Sequence, residues 1–382
     1  NSTFNNNNAK ANGGAIKWES EKGTISNSTF NNNTAEYGGA IRGESENGTI
    51  SNSTFNNNTA KYSGGAINWN SKYGNVSSCL FINNTATVLG SVYYNDCNDT
   101  SYSNFTNNIL LNNGPDEIYY KVFEGSNADY NWFGNNESNY DQKPYENSNT
   151  WLFINGTANP NSIKISDISE ITFKLYSYDG KEIIEYDNSK LYPINLSLSS
   201  THGTISKDTA GLNEKITFQG DYPGLVTVSA KAEDTQTDIT IDIDGMSFLD
   251  LNKTINDNNG TEITLNQSYS YNPEIDSDFI HGIIINRTVR INGNNNTING
   301  LDIARIFHIL ADNVIINNIT FTNAKADGNK LEDKYGGAIL WNGTNGAVSN
   351  STFNNNTAKN VGGAILWDGA NGSVSNSKFN KS

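Results

Sequence analysis

A phrase of about 25 residues is written again and again through this chain, and that repetition constrains the fold more than any local propensity does. Residues Asn27 to Asn52 read NSTFNNNTAEYGGAIRGESENGTISN. Aligned on its phenylalanine, the phrase returns at Phe4, Phe30, Phe55 and Phe81, spaced 26, 25 and 26 residues apart. The glycine pair before Ala-Ile keeps step at Gly13-Gly14, Gly38-Gly39 and Gly64-Gly65. Far downstream it resumes as Gly336-Gly337-Ala338-Ile339, Phe353, Gly362-Gly363-Ala364-Ile365 and Phe379, with Phe353 and Phe379 again 26 apart. A fixed period of this length denotes stacked structural repeats.

The contents of one period select strand over helix. Between glycine pairs there is no run of helix formers at i, i+3, i+4, i+7. Short alternations such as Ile67-Asn68-Trp69 recur instead between Asn and Gly turns. One unit alone offers no second layer on which to bury Phe, Ile and Trp, so successive coils must stack at the strand spacing and set Phe30 on Phe55 and Ile41 on Ile67. The predicted fold is all-β, a right-handed parallel β-helix. In each coil Ile and Trp share the core face, while Lys17, Arg42 and Asn68 point to solvent. The glycine pairs suit corners with positive φ or close coil contact, and the runs Asn31-Asn32-Asn33 and Asn56-Asn57-Asn58 suit left-handed turns and stacked amide ladders. Glycan attachment is a second reading of the asparagines. Asn-x-Ser/Thr occurs at Asn27, Asn47, Asn52, Asn75, Asn252 and Asn342 among roughly two dozen matches, a number that an Asn- and Thr-rich chain also produces by chance.

Composition limits the partners. Lys plus Arg total 25 against 40 acidic residues, a formal net charge of -15, which disfavours nucleic acid and anionic membrane. No run of eighteen apolar residues is present, so membrane insertion within this segment is not expected. The 382 residues are enough for two or three domains.

Taken in order, residues 1–150 read as the C-terminal part and cap of a β-helix. The fourth coil decays to Val88-Leu89-Gly90-Ser91-Val92-Tyr93-Tyr94, and the aromatic cluster Asp129 to Gly134 suits covering the last open coil. Residues 159–245 lose the period and alternate, as in Ile171 to Tyr178 and Leu225 to Ala230, with turns such as Asp179-Gly180 between them. This predicts an immunoglobulin-like β-sandwich without the Cys-Trp-Cys signature. Residues 246–382 read as the N-terminal cap and first coils of a second β-helix, beginning with strands at Ser247 to Leu251 and Glu262 to Leu265. Asn1 opens in mid-repeat and Ser382 stops three residues past Phe379, so further coils are expected on both sides.

Only two cysteines occur. Cys79 stands where other repeats carry Ser28 or Ser53, and Cys97 lies one coil on. A buried free pair and a disulfide pinning the last coils both remain open.

The motifs Gly-Gly-Ala-Ile and Phe-x-x-Asn (Phe30 to Asn33, Phe55 to Asn58, Phe353 to Asn356) resemble the repeats of chlamydial polymorphic outer-membrane proteins. With V-R-I-N-G-N-N-N-T-I-N-G at Val289 to Gly300 and N-W-F-G at Asn131 to Gly134, the arrangement is similar to the adhesin-like surface proteins of methanogenic archaea. That resemblance implies an extracellular, glycosylated fibre of alternating β-helices and immunoglobulin-like modules. It also implies contact with other cells, surface glycans or copies of itself, and neither a cofactor nor a catalytic residue. The competing class is a polysaccharide-binding lyase or hydrolase, since such enzymes also use parallel β-helices. Its best candidate cluster is Glu274, Asp276 and Asp278 with Arg287, Arg290 and Arg305. The other reading of that cluster is an acidic loop beside solvated arginines. His202, His281 and His308 fall in three separate segments. Tyr37, Tyr62 and Tyr73 are expected to be exposed and available for weak glycan contact. The expected function is therefore a non-enzymatic surface stalk.

Overall fold

A three-residue strand such as Thr29–Asn31 satisfies its backbone only by pairing with the same place in the coils above and below. The computed structural model describes residues 1–97, 102–121, 124–134, 148–232 and 235–381, and in its repeats this pairing is parallel and in register save for a bulge between Ala35 and Tyr37. Phe4 lies over Phe30, Phe30 over Phe55 and Phe55 over Phe81. Their rings stack with centroids 4.8, 4.8 and 4.9 Å apart, which is the inter-strand spacing itself. A second sheet runs through Ile16–Trp18, Ile41–Gly43, Ile67–Trp69, Tyr93–Asn95 and Ile118–Tyr120. A third runs through Thr24–Ser26, Thr49–Ser51, Asn75–Ser77 and Asn104–Thr106. The short strands Thr34–Tyr37, Thr59–Ser63 and Thr85–Ala86 turn the remaining corner. These coils form a first parallel β-solenoid whose Phe, Ile and Trp point inward into one core.

The corners explain the conserved spelling of the phrase within this chain. Asn32 and Asn57 adopt φ of 53°, in the left-handed region that asparagine tolerates. Gly38 has φ of 65°, and a Cβ on Gly39 would sit 2.1 Å from the Gly65 carbonyl oxygen of the next coil. Asn33, Asn58 and Asn84 are fully buried and form a ladder. The Asn33 backbone N–H and Nδ2 both donate to Asn58 Oδ1, at 3.1 and 2.9 Å, and Asn58 repeats the pair onto Asn84 at 3.0 and 2.9 Å. The second amide hydrogen of Asn58 goes to the Phe30 carbonyl at 3.0 Å. A further pattern ties Trp18, Trp69, Trp341 and Trp367 each to the glycine five residues on. A Cβ on Gly74 would lie 2.4 Å from Trp69 Nε1, and one on Gly346 would lie 2.4 Å from Trp341 Cζ2, so the indole needs a bare backbone to lie on.

One part of the inside/outside assignment is overturned. Arg42 and Asn68 do not face solvent; they are 7% and 0% exposed. The corner strands fold over the outer face of their sheet, so alternation no longer decides burial. Arg42 Nη1 donates to Asn68 Oδ1, Asn68 Nδ2 donates to Ser63 Oγ at 3.0 Å, and the Tyr37 ring lies 5.9 Å from the guanidinium.

The end of the first solenoid also differs from expectation. Asn131 and Trp132, read as part of a covering cluster, form a strand that pairs with Ile109–Leu111 on one side and with Trp151–Asn159 on the other. Trp151–Asn159 then pairs antiparallel over nine residues with Ile168–Tyr178. The solenoid's open edge is thus closed by a strand of the next unit, which starts at Trp151 and not near residue 159. An exposed ladder edge demands a partner, and here the spacer supplies it. The stretch 135–147, inside the expected cap, lies outside the described residues.

Residues 151–244 build two sheets around a common core. Ile154, Ile171, Phe173, Leu175 and Phe218 of one face Leu196, Val226, Val228, Ile239 and Ile241 of the other. Side contacts reinforce the join to the first solenoid: Ser78 Oγ donates to the Lys190 carbonyl at 2.6 Å, Tyr186 pairs with Asn107, and Tyr186 stacks on Tyr130 at 5.4 Å.

The second solenoid begins with an α-helix, Phe248–Asn256, where strand was expected from Ser247 to Leu251. The cause is local and was legible. Ser247 and Asp250 form a reciprocal capping box, and Phe248, Leu251 and Ile255 fall on one face that covers the first coil. From there Glu262–Thr264, Tyr269–Ser270 and Ile283–Ile285 start three parallel sheets that continue to Ser373–Ser375, Lys378–Asn380 and Ile365–Trp367.

Candidate functional site

The carboxylates and arginines singled out as an enzyme-like cluster do not converge. Both Asp276 oxygens are taken up by backbone N–H groups, those of Phe248 and Leu249 at 2.8 Å each and of Asn272 at 2.7 Å, so this fully buried carboxylate caps the helix start. Arg287 holds the other end of the helix region through the carbonyls of Ile255 and Gly260, at 2.6 and 2.8 Å. Arg290 is half exposed beside Glu262, at 3.8 Å. Arg305 is 1% exposed and spends its guanidinium on four main-chain carbonyls: His281 at 2.8 Å, Glu332 at 2.7 Å, Tyr335 at 2.9 Å and Gly336 at 3.1 Å. Burial pulls its pKa below the usual arginine value, while Asp333 and Glu332 oppose that fall.

What Arg305 anchors is an insertion that the period reveals in hindsight. Phe321 and Phe353 pair across adjacent coils 32 residues apart, whereas Phe353 and Phe379 are 26 apart. The excess lies in one corner. Twelve residues separate Ala326 from Ile339, against six between Ala358 and Ile365 in the next coil. The extra segment, Asp327 to Lys334, folds back through the short 3-10 turn Glu332–Lys334. Asp333 pins it: its Oδ2 accepts from the Lys330 N–H at 3.2 Å, its carbonyl accepts from the Gly328 N–H at 3.2 Å, and its Oδ1 stands 3.4 Å from His281 Nδ1.

Between this loop and the two preceding coils lies a cavity of about 230 Å³, lined by the apolar Ile280, Ile303 and Ala326 and by the polar His281, Asp302, Lys325, Asp327 and Asp333. Leu301 and Asp302, at φ of 57° and 56°, turn the chain so that Asp302 and Ile303 stand exposed at the rim. The Asp302 carboxylate makes no hydrogen bond or ion pair among the described residues. Asp327 is paired with Lys359 at 3.1 Å and Lys325 at 3.9 Å, and the Lys359 ammonium holds its carboxyl below the usual range. Repeat proteins place such insertions on one face, and they are where recognition is concentrated.

The first solenoid carries a different surface feature. Across its second sheet runs an alternating string of charges: Glu19, Lys17, Glu44, Arg42, Asp96 and Lys121. Its links measure 2.5, 3.8, 3.5, 3.6 and 3.6 Å. Because each charge is matched, the string ties coils together and offers no net field to a ligand. Tyr37 and Tyr73 are 37% and 46% exposed, yet each stacks on a tyrosine of the next coil, Tyr62 at 5.1 Å and Tyr102 at 5.7 Å.

Both cysteines are free and buried, so no disulfide pins the last coils. Cys79 replaces serine in a corner ladder. Its Sγ donates to the Ser77 carbonyl at 3.2 Å as Ser53 Oγ does to Ser51 at 2.8 Å, and its side chain is directed along that column and not into a bridge. Burial pushes the Cys79 thiol up to about 12. Among the sequon asparagines, Asn27, Asn47, Asn52 and Asn342 are exposed. Asn75 sits half-buried in a strand, and Asn252 is half-buried in the helix, where it accepts from Asn256 at 2.7 Å. Among the described residues no group of three or more His, Cys, Asp or Glu is placed to hold a metal ion, and no helix is long and apolar enough to cross a membrane.

Neither curated proteins nor solved structures yield a match to this chain. Three of its segments, residues 27–44, 52–68 and 350–366, match the Chlamydia polymorphic membrane protein repeat, two in the first solenoid and one in the second.

Proposed function

We propose that this chain is part of a non-enzymatic cell-surface stalk of the adhesin-like kind found on methanogenic archaea, holding its binding surfaces away from the cell. The observation that carries the reading is the parallel ladder of each solenoid: coil stacks on coil in register, and Trp151–Asn159 of the spacer pairs with the last strand of the first solenoid. Such a stack resists bending because every coil is tied to the next by main-chain hydrogen bonds, buried asparagine rungs and stacked rings. The match to polymorphic membrane protein repeats supports a surface setting. On this reading the solenoids are right-handed, as β-crossover connections overwhelmingly are, and the two-sheet spacer is an immunoglobulin-like module. Its exposed sequons at Asn27, Asn47, Asn52 and Asn342 are the glycan attachment positions, and its partners are other cells, their surface glycans or neighbouring copies.

Two experiments test this. Beads coated with the chain should adhere to cells of its own community or host above beads coated with albumin, and equal retention of both would refute the stalk reading. Incubation with pectins, alginate and host glycans should release no new reducing ends or unsaturated products. Turnover that disappears in Asp276→Asn or Asp278→Asn would establish the competing enzyme class.

A further inference from the structure

We infer that the cavity under the Asp327–Lys334 insertion is a saccharide-binding site that takes one neutral sugar ring, the terminal unit of a glycan. The inference deepens the surface-stalk reading by giving it a ligand class and a place.

The cavity lies at a corner where the repeat is lengthened by six residues that are themselves fastened by hydrogen bonds. Arg305, fully buried, fastens the insertion through the carbonyls of Glu332 and Tyr335 and fastens the facing coil through that of His281. Asp333, with a side chain 9% exposed, locks the loop's interior. A guanidinium committed to four carbonyls is costly unless the loop's shape matters, because the same corner is closed in the next coil by six residues alone.

Its size and lining then choose the ligand. About 230 Å³ is below the roughly 300–1,000 Å³ of pockets that enclose drug-sized molecules, and it suits one pyranose ring. The exposed side chains Ile280 and Ile303, 38% and 41% exposed, form an apolar wall for the C–H face of a ring. Beside them Asp302 supplies two acceptors without a partner among the described residues, and Lys325 and His281 supply donors. Alternating acceptors and donors beside an apolar wall match the hydroxyls of a polyol. Of the three carboxylates at the cavity, Asp327 is paired with Lys325 and Lys359 and Asp333 lies in the field of Arg305. That leaves the unpaired Asp302 carboxylate as the charge a ligand meets, so uronic and sialic acids should be disfavoured.

The test uses the whole chain and saturation-transfer NMR with methyl glycosides of glucose, galactose, mannose and N-acetylglucosamine, plus methyl glucuronide and methyl sialoside. At least one neutral glycoside should bind saturably with Kd of about 1 mM, the affinity that ligand efficiency allows a single ring, and the anionic pair should not. Asp302→Gly, which removes the carboxylate while tolerating the positive φ, should weaken that binding about tenfold or more, and Tyr73→Ala should leave it unchanged. No saturable binding by any neutral glycoside, a Kd shift under about twofold in Asp302→Gly, or preference for the anionic sugars would overturn the inference. Bead adhesion is measured on the same variants. Sugar binding lost with adhesion intact refutes only the pocket, whereas sugar binding without adhesion by the wild-type chain refutes the stalk reading and keeps the pocket.

Discussion

Replacing Asn58 with alanine should cost this protein more than a surface asparagine could, because Asn58 is a rung in a buried ladder and not a turn decoration. Its side chain takes part in four hydrogen bonds: Oδ1 accepts from the Asn33 N–H and from Asn33 Nδ2, and Nδ2 donates to the Phe30 carbonyl and to Asn84 Oδ1. At about 1 kcal/mol net each these amount to about 4 kcal/mol. The Asn33 backbone N–H, at a residue with no exposure, is left without its acceptor, so compensation by water is blocked. Asn58→Asp should be at least as damaging at neutral pH, since it replaces the amide donor with a carboxylate oxygen facing two acceptors, the Phe30 carbonyl and Asn84 Oδ1, and buries a charge. Asn31→Ala removes one exposed bond to Asn5 and should stay within about 0.5 kcal/mol. Urea unfolding followed by far-ultraviolet circular dichroism reads all three. A cost for Asn58→Ala within about 1 kcal/mol of that for Asn31→Ala would mean that the ladder is incidental to stability.

The remaining expectations test neighbouring parts of the argument. Phe55→Ala, in the middle of the ring stack, should lose about 3–5 kcal/mol, whereas Lys61→Ala, which loses an exposed pair with Glu36 and a contact over the Tyr62 ring, should cost less than about 1 kcal/mol; urea midpoints decide between them. Cys79→Ser should cost under about 1 kcal/mol because the serine of Ser53 already occupies the same column, and native Cys79 should resist iodoacetamide until urea unfolds the chain. Burial pushes the Cys79 thiol from its ordinary value up to about 12, and it raises Tyr93 and Tyr120 in the same direction. The unfolded chain releases these protons first, so their contribution is intact below pH of about 9 and is lost as pH climbs toward 12. Stability that stayed flat across that window would contradict the burial of these groups. Asp276→Ala should lower the thermal midpoint of the second solenoid through the loss of three backbone hydrogen bonds at the helix start, a cost of about 3 kcal/mol by calorimetry.

Much of the scaffold was legible because a repeat repeats its physics. Given a period near 25 and strands of three residues, in-register stacking is the arrangement that satisfies both the backbone and the apolar side chains, so Phe30 over Phe55 and Ile41 over Ile67 follow from spacing alone. The left-handed asparagines and the glycine pairs follow equally, since few residues tolerate those corners. The Ser247–Asp250 capping box was written in the sequence as well, but the expectation of continuous strand masked it. The 32-residue gap from Phe321 to Phe353 also announced an insertion. Other features depend on elements meeting that are distant along the chain. Whether Arg42 and Asn68 are covered depends on how far a corner strand folds over its sheet, and period-2 alternation carries no information about that. Trp151–Asn159 could be assigned to the spacer or to the solenoid by pattern alone, and the unpaired edge at Asn131–Trp132 decided that it serves both. Asp302, Ile303, His281 and the Asp327–Lys334 loop belong to different coils, and only the winding of the solenoid sets them around one cavity. Local spacing determines which neighbours a coil has above and below, because the strand ladder is periodic. What lies across a face or at an end is determined by the three-dimensional path of the chain, because there the period is broken.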